Sequence, residues 1–246
     1  MIYEDEVLAI EVIKAIHTGD VQHLKQLLAE NSHLAASRIV AKSDNENKTE
    51  VSRSLLHIVT DWPGHFANGA KSVKVLVDAG VDVNARFSGH HTETPLHWAA
   101  SSDDIEVLDA LLDSGADINA DGAVIGGGTP LDDAVAFGQW KAAHKLVDRG
   151  AATKLWNEAA LGLMDRVKSR FEDSEHPSQS EITQAFWLAC HGDQRQAAEY
   201  LLNHGANKNW IGYDDLTPLD AAWRNNAHDL VQWLSENGAK SEKEQE

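Results

Sequence analysis

The chain has a single cysteine in 246 residues, so Cys190 can form no internal disulfide and is expected to be a structural thiol. Basic residues are scarce as well: 21 Lys and Arg stand against 39 Asp and Glu, a formal charge of −18. That excess repels polyanions, which argues against nucleic acid and anionic membrane as partners; it reads as a solvated acidic surface, with a basic partner as the alternative. No stretch approaches the roughly 18 apolar residues of a membrane span. Met1–Glu6 carries neither a basic segment nor an apolar leader core, so a cytoplasmic location is expected. Neither HExxH nor a CxxC pair occurs, and no G-x-S-x-G elbow. Gly126-Gly127-Gly128 lacks the following Lys-Ser or Lys-Thr of a phosphate loop and reads as a flexible finger. No metal and no cofactor is expected.

What the chain does have is a repeat. Thr94-Pro95-Leu96-His97-Trp98-Ala99-Ala100 is followed by Leu111-Leu112-Asp113-Ser114-Gly115-Ala116. Thr129-Pro130-Leu131 comes 35 residues after Thr94, and Thr217-Pro218-Leu219 opens another copy. Gly-Ala pairs recur at 115–116, 150–151, 205–206 and 238–239. Weaker copies align around Ala189, Ala159-Ala160, Leu56-His57 and Ala15. Each residue type has a physical role. Thr94 suits a helix N-cap, and Pro95 the first helical position, where its missing N–H costs nothing. Ala99 and Ala100 let the next helix approach closely. Leu108, Leu111 and Leu112 form an apolar helix face, and Gly115 supplies the left-handed residue that ends it.

These motifs resemble the ankyrin repeat. The resemblance implies an all-α solenoid of about seven stacked helix-turn-helix units with extended fingers. It implies a single domain over residues 1–240, followed by a disordered acidic tail at 241–246, and a monomer. Cys190 and Ala189 fall on the small, buried pair. His97, with His57 one unit earlier, falls on the position that hydrogen-bonds the adjoining finger. Adjacent helices pack roughly 8–10 Å apart, too far for these two rings to share a zinc.

Departures from the bare repeat mark where function concentrates, because loops on a rigid scaffold carry binding sites. The polar stretch 37–53 reads as a mobile finger or linker. The turn 61–70 is about five residues too long, and the fingers 86–93 and 121–128 are each two residues too long. In this family the fingers and the first helices line a concave, ligand-binding face. The resemblance places Ile58, Trp98, Asp133 and Glu158 partly on that face, together with Ser101, Ser102, Phe137, His191 and Arg224. The candidate ligand-binding set is therefore Asp61, Trp62, His65, Phe87, His90, His91, Glu93, Trp98, Ser101, Ser102, Asp133 and Phe137. The implied function is recognition of a protein or peptide by repeats two to four. The alternative is a small-molecule site, or a hydrolase- or lyase-type enzyme using Asp61, Asp133, His91 and Glu93 as acids and bases beside tryptophan. Against that alternative, Asp61 is expected about 15 Å from the fingers, at the far end of a ten-residue helix.

Overall fold

The computed structural model describes residues 1–41, 50–172 and 175–244. Residues 42–49 of the polar stretch and residues 245–246 of the expected tail lie outside the described residues. The remainder of that tail, Glu242–Glu244, forms a short 3-10 turn.

The chain gathers into two compact units, Met1–Ala151 and Ala152–Glu246. Among the described residues, the first holds four antiparallel helix pairs: α1 (Val7–Thr18) with α2 (Val21–Glu30), α3 (Leu55–Val59) with α4 (Gly69–Asp78), α5 (Pro95–Ser101) with α6 (Ile105–Asp113), and α7 (Pro130–Ala136) with α8 (Trp140–Asp148). The second holds three: α9 (Leu155–Ala160) with α10 (Met164–Glu172), α11 (Gln179–His191) with α12 (Arg195–Asn203), and α13 (Pro218–Arg224) with α14 (His228–Glu236).

Local chemistry fixes these boundaries. Pro95, Pro130 and Pro218 open their helices. Asp20 and Asp104 cap α2 and α6 by accepting the backbone N–H of His23 and Val107 at 3.0 and 3.3 Å. Just past α6, Gly115 adopts φ +91°, a conformation that a side chain would strain. Ala99, Ala100, Leu108 and Leu111 are buried in the first unit. Phe186, Ala189, Leu201 and Leu234 form the core of the second, with the Cys190 thiol fully enclosed.

The polar stretch brings a correction. Its ends are strands, not a plain linker: β2 (Ile39–Ala41) pairs antiparallel with β3 (Val51–Arg53) and parallel with β1 (Ile2–Tyr3). Ile2, Ile39 and Val40 bury their side chains, which gives this small sheet an apolar anchor.

Candidate functional site

Four elements of the first unit converge on the site: the end of α3, the finger 86–93, α5 and the finger 121–128. Two histidines staple the fingers to the helices. His97 Nδ1 accepts from the Thr94 N–H at 3.1 Å, so its Nε2 carries the proton and donates to the Gly128 carbonyl at 3.3 Å. His57 repeats the arrangement on Ser54 and the Glu93 carbonyl, with Nε2 at 3.1 Å. Burial disfavours the charged imidazolium and pushes His57 down to about 3, and His97 moves the same way. Both rings are structural and neutral. Among the described residues, no group of three His, Cys, Asp or Glu side chains is placed to hold a metal ion.

Arginines and backbone pairing fix the fingers. Arg38 donates to Ser52 Oγ at 2.8 Å and to the Ser52 and Arg86 carbonyls at 2.7 Å. Ser52 and Ser88 exchange backbone hydrogen bonds at 2.9 Å. Arg86 reaches the backbone and side chain of Asp121 in the next finger. There, Gly122 approaches so closely that a Cβ would lie 2.5 Å from the Thr92 carbonyl oxygen.

The result is a cavity of about 290 Å³. Eight of the twelve candidate residues line it: Asp61, Trp62, His91, Glu93, Trp98, Ser101, Ser102 and Phe137. Thr60 and Val124 complete the wall. Neither stands out in the sequence, because Thr60 reads as helix and Val124 as one apolar residue of a glycine-rich finger. The expected distance between Asp61 and the fingers does not materialise. α3 has five residues, not ten, and Asp61 lines the same cavity as His91 and Glu93.

The other four candidates lie elsewhere. His65 donates its backbone N–H to Asp104 at 2.7 Å, and its ring lies 2.9 Å from the Ser102 carbonyl oxygen. It therefore tethers the long turn. Phe66 of the same turn stacks on His17 at 4.2 Å, and Asn68 reaches the Gly19 carbonyl. The turn thus packs against its neighbours and leaves the cavity uncovered, with a cis Trp62–Pro63 peptide at its start. Phe87 supports the wall from behind, 4.8 Å from the His91 ring and 5.4 Å from Trp98. His90 is exposed and outside the lining. Asp133 is fully buried, because the lengthened finger covers it. Burial likewise corrects the expected exposure of Ile58, Glu158 and His191.

Glu93 is the hub. Its Oε2 accepts from the Trp98 indole N–H at 2.7 Å, and its Oε1 from the Val124 N–H at 3.4 Å. His91 Nδ1 lies 2.7 Å from Oε2, close enough for an ion pair but outside hydrogen-bond angles. Asp133 faces Glu93 from below, and the Ile125 backbone lies nearby. With both carboxyls charged, neither Asp133 oxygen has a donor in good geometry. A proton on Asp133 converts the contact with Glu93 into a hydrogen bond and removes the repulsion. Burial first, then Glu93, pushes Asp133 up to about 9. Asp133 therefore keeps its proton at neutral pH.

Asp61 is the second acid. Its Oδ1 pairs with Arg53 at 3.1 Å, and Arg53 also binds Glu4. Burial outweighs the guanidinium and raises Asp61 to about 6. At the rim, Trp62 and Phe137 are 88% and 48% exposed, apolar surface with nothing over it.

A larger cavity of about 630 Å³ lies in the second unit, walled by Lys154, Trp156, Arg170 and His176. Its strongest groups satisfy one another: Arg170 pairs with the buried Glu158 at 2.8 Å, and Lys154 stacks 4.6 Å above Trp156. The smaller cavity, with exposed aromatics at its rim and the carboxyls of Asp61 and Glu93 in its wall, is the better candidate.

Comparison with known proteins fits this architecture. A family model described as ankyrin repeats matches residues 12–122, 65–155 and 159–245. Among solved structures, a crystal structure of the human ASB11 ankyrin repeat domain is 22% identical, covers 93% of this chain and 84% of that one, and superposes with a TM-score of 0.49. No curated protein matches the sequence. Among the described residues, no helix is long and apolar enough to cross a membrane.

Proposed function

The chain belongs to the ankyrin-repeat family, whose repeats generally serve as protein-interaction scaffolds, and on that premise we propose that repeats two to four dock a protein or peptide. The observation that carries this reading is the exposed aromatic rim. Trp62 and Phe137 flank a cavity of about 290 Å³, at the bottom of the roughly 300–1,000 Å³ range of small-molecule pockets. Such a cavity accommodates one side chain of a larger partner lying across the rim. Trp62, Trp98 and Phe137 are the expected anchors.

The protonated Asp133 beneath Glu93 favours a second reading, acid–base chemistry on a small substrate. Asp133 does not reach the cavity wall, however, and Glu93 already accepts from Trp98 and Val124. The pair serves better as a buried support for that wall.

Selection of peptides from a displayed random library against the full chain tests the docking reading. Trp62→Ala and Phe137→Ala should weaken the selected peptides roughly thirtyfold, the 2 kcal/mol of an aromatic anchor. Arg224→Ala, in the second unit, should change little. Peptides indifferent to Trp62 and Phe137 but sensitive to Arg224 would move the site to the second unit.

A further inference from the structure

Apart from His91, the polar side chains of the cavity share one property: they accept hydrogen bonds and have few protons to offer. The Thr60 hydroxyl donates to the Leu56 and His57 carbonyls at 3.2 Å. Ser101 and Ser102 donate to the Trp98 carbonyl at 3.1 and 2.9 Å. The Trp98 indole N–H is committed to Glu93. Each hydroxyl therefore turns only lone pairs toward the cavity. Asp61 adds acceptor capacity, since its ion pair with Arg53 uses Oδ1. A ligand with acceptors of its own would leave them unsatisfied here, at a cost in binding.

Charge points the same way. Asp61 and Glu93 line the cavity, and the neighbouring Arg53 guanidinium is divided between Asp61 and Glu4, while Asp133 holds a proton. Two carboxylates and no lysine or arginine among the lining residues leave the walls net negative. Trp62, Trp98 and Phe137 add aromatic faces, which attract cations through their quadrupoles.

We propose that this cavity receives the cationic head of a lysine or arginine side chain, presented by a basic peptide or protein. The proposal rests on the docking reading above and names the residue that the docking site selects. Ammonium and guanidinium groups only donate, with three and five hydrogens respectively, and so match a lining that is both acceptor-rich and negative. Their aliphatic stems lie along the exposed aromatic rim. The chain's overall charge of −18 attracts basic partners and disfavours acidic competitors.

The test uses the full chain, ¹⁵N-labelled, with the indole N–H signals of Trp62 and Trp98 as reporters. The probes are N-acetyl-lysine methylamide, N-acetyl-arginine methylamide and the neutral isostere N-acetyl-norleucine methylamide. Both cations should give saturable shifts in the millimolar range, with norleucine at least about tenfold weaker. Asp61→Asn should weaken the cations and leave norleucine unchanged. Phe137→Ala, an exposed substitution that spares the core, should weaken all three. Equal binding by norleucine, or no saturable shift with either cation, would overturn the assignment. The library selection separates the two levels. Peptides that need Trp62 and Phe137 but contain no basic residue overturn the cation assignment and leave docking intact. Peptides indifferent to both side chains overturn docking itself.

Discussion

Replacing Asp133 by Asn should make the protein more stable relative to wild type as pH rises. Asp133 is fully buried against Glu93, and its carboxyl is raised from the usual 3.8 to about 9. A raised folded-state value means that the folded chain keeps a proton which the unfolded chain releases. The stability contributed by that proton is complete below about pH 4 and is lost progressively up to about pH 9. Within this window the loss approaches about 1.4 kcal/mol per pH unit, or roughly 4 kcal/mol between about pH 5 and about pH 8. Asn is close in size, cannot ionise, and its amide can donate to Glu93 as the carboxylic acid does. Asp133→Asn should therefore match wild type near pH 5 and exceed it by a margin that grows toward pH 8. Urea unfolding followed by circular dichroism at several pH values reads the difference, and effects of other groups cancel between the two proteins. Parallel pH profiles would show that Asp133 is ionised in the folded state. A variant that falls behind as pH rises would show that its charge is stabilising.

Other expectations follow from burial. His57 is depressed to about 3, so its contribution is intact above the usual histidine value near 6.5 and is lost as pH falls toward 3. His57→Asn should flatten that acid limb in the same unfolding series. Ala99 is fully buried, and Ala99→Leu should destabilise by roughly 1–3 kcal/mol through overpacking, read as a lowered urea midpoint. The Cys190 thiol is enclosed, and burial pushes it up, so a thiol-specific disulfide reagent should leave the native protein unmodified and label it only after unfolding.

The helix pairs were legible because the repeat puts strong local signals at fixed offsets. Threonine caps, Pro95, Pro130 and Pro218, and the closing Gly-Ala pairs each act within one turn of chain. The small sheet was not. Its strands run two or three residues, shorter than any period a sequence window detects, and Ile2 meets Ile39 across a non-local pairing. The cavity was partly legible. Trp62, Trp98 and Phe137 stood out by residue type and repeat position, and all three line the cavity. Asp133 and Glu158 misled, because repeat position alone does not tell what covers a side chain. For Asp133 the answer lay in the lengthened finger at 121–128, and for Glu158 in the pairing with Arg170. The acceptor-only lining required coordinates, since only geometry shows that Ser101 and Ser102 donate to their own helix.

The most direct test of the central claim is a ¹H–¹⁵N map of the labelled chain with a peptide selected against it. Eight tryptophans give indole reporters in both units. Docking at repeats two to four predicts that the Trp62 and Trp98 signals shift on binding, while Trp210 and the exposed Trp223 stay in place. Shifts at Trp210 and Trp223 with Trp62 and Trp98 unmoved would contradict it.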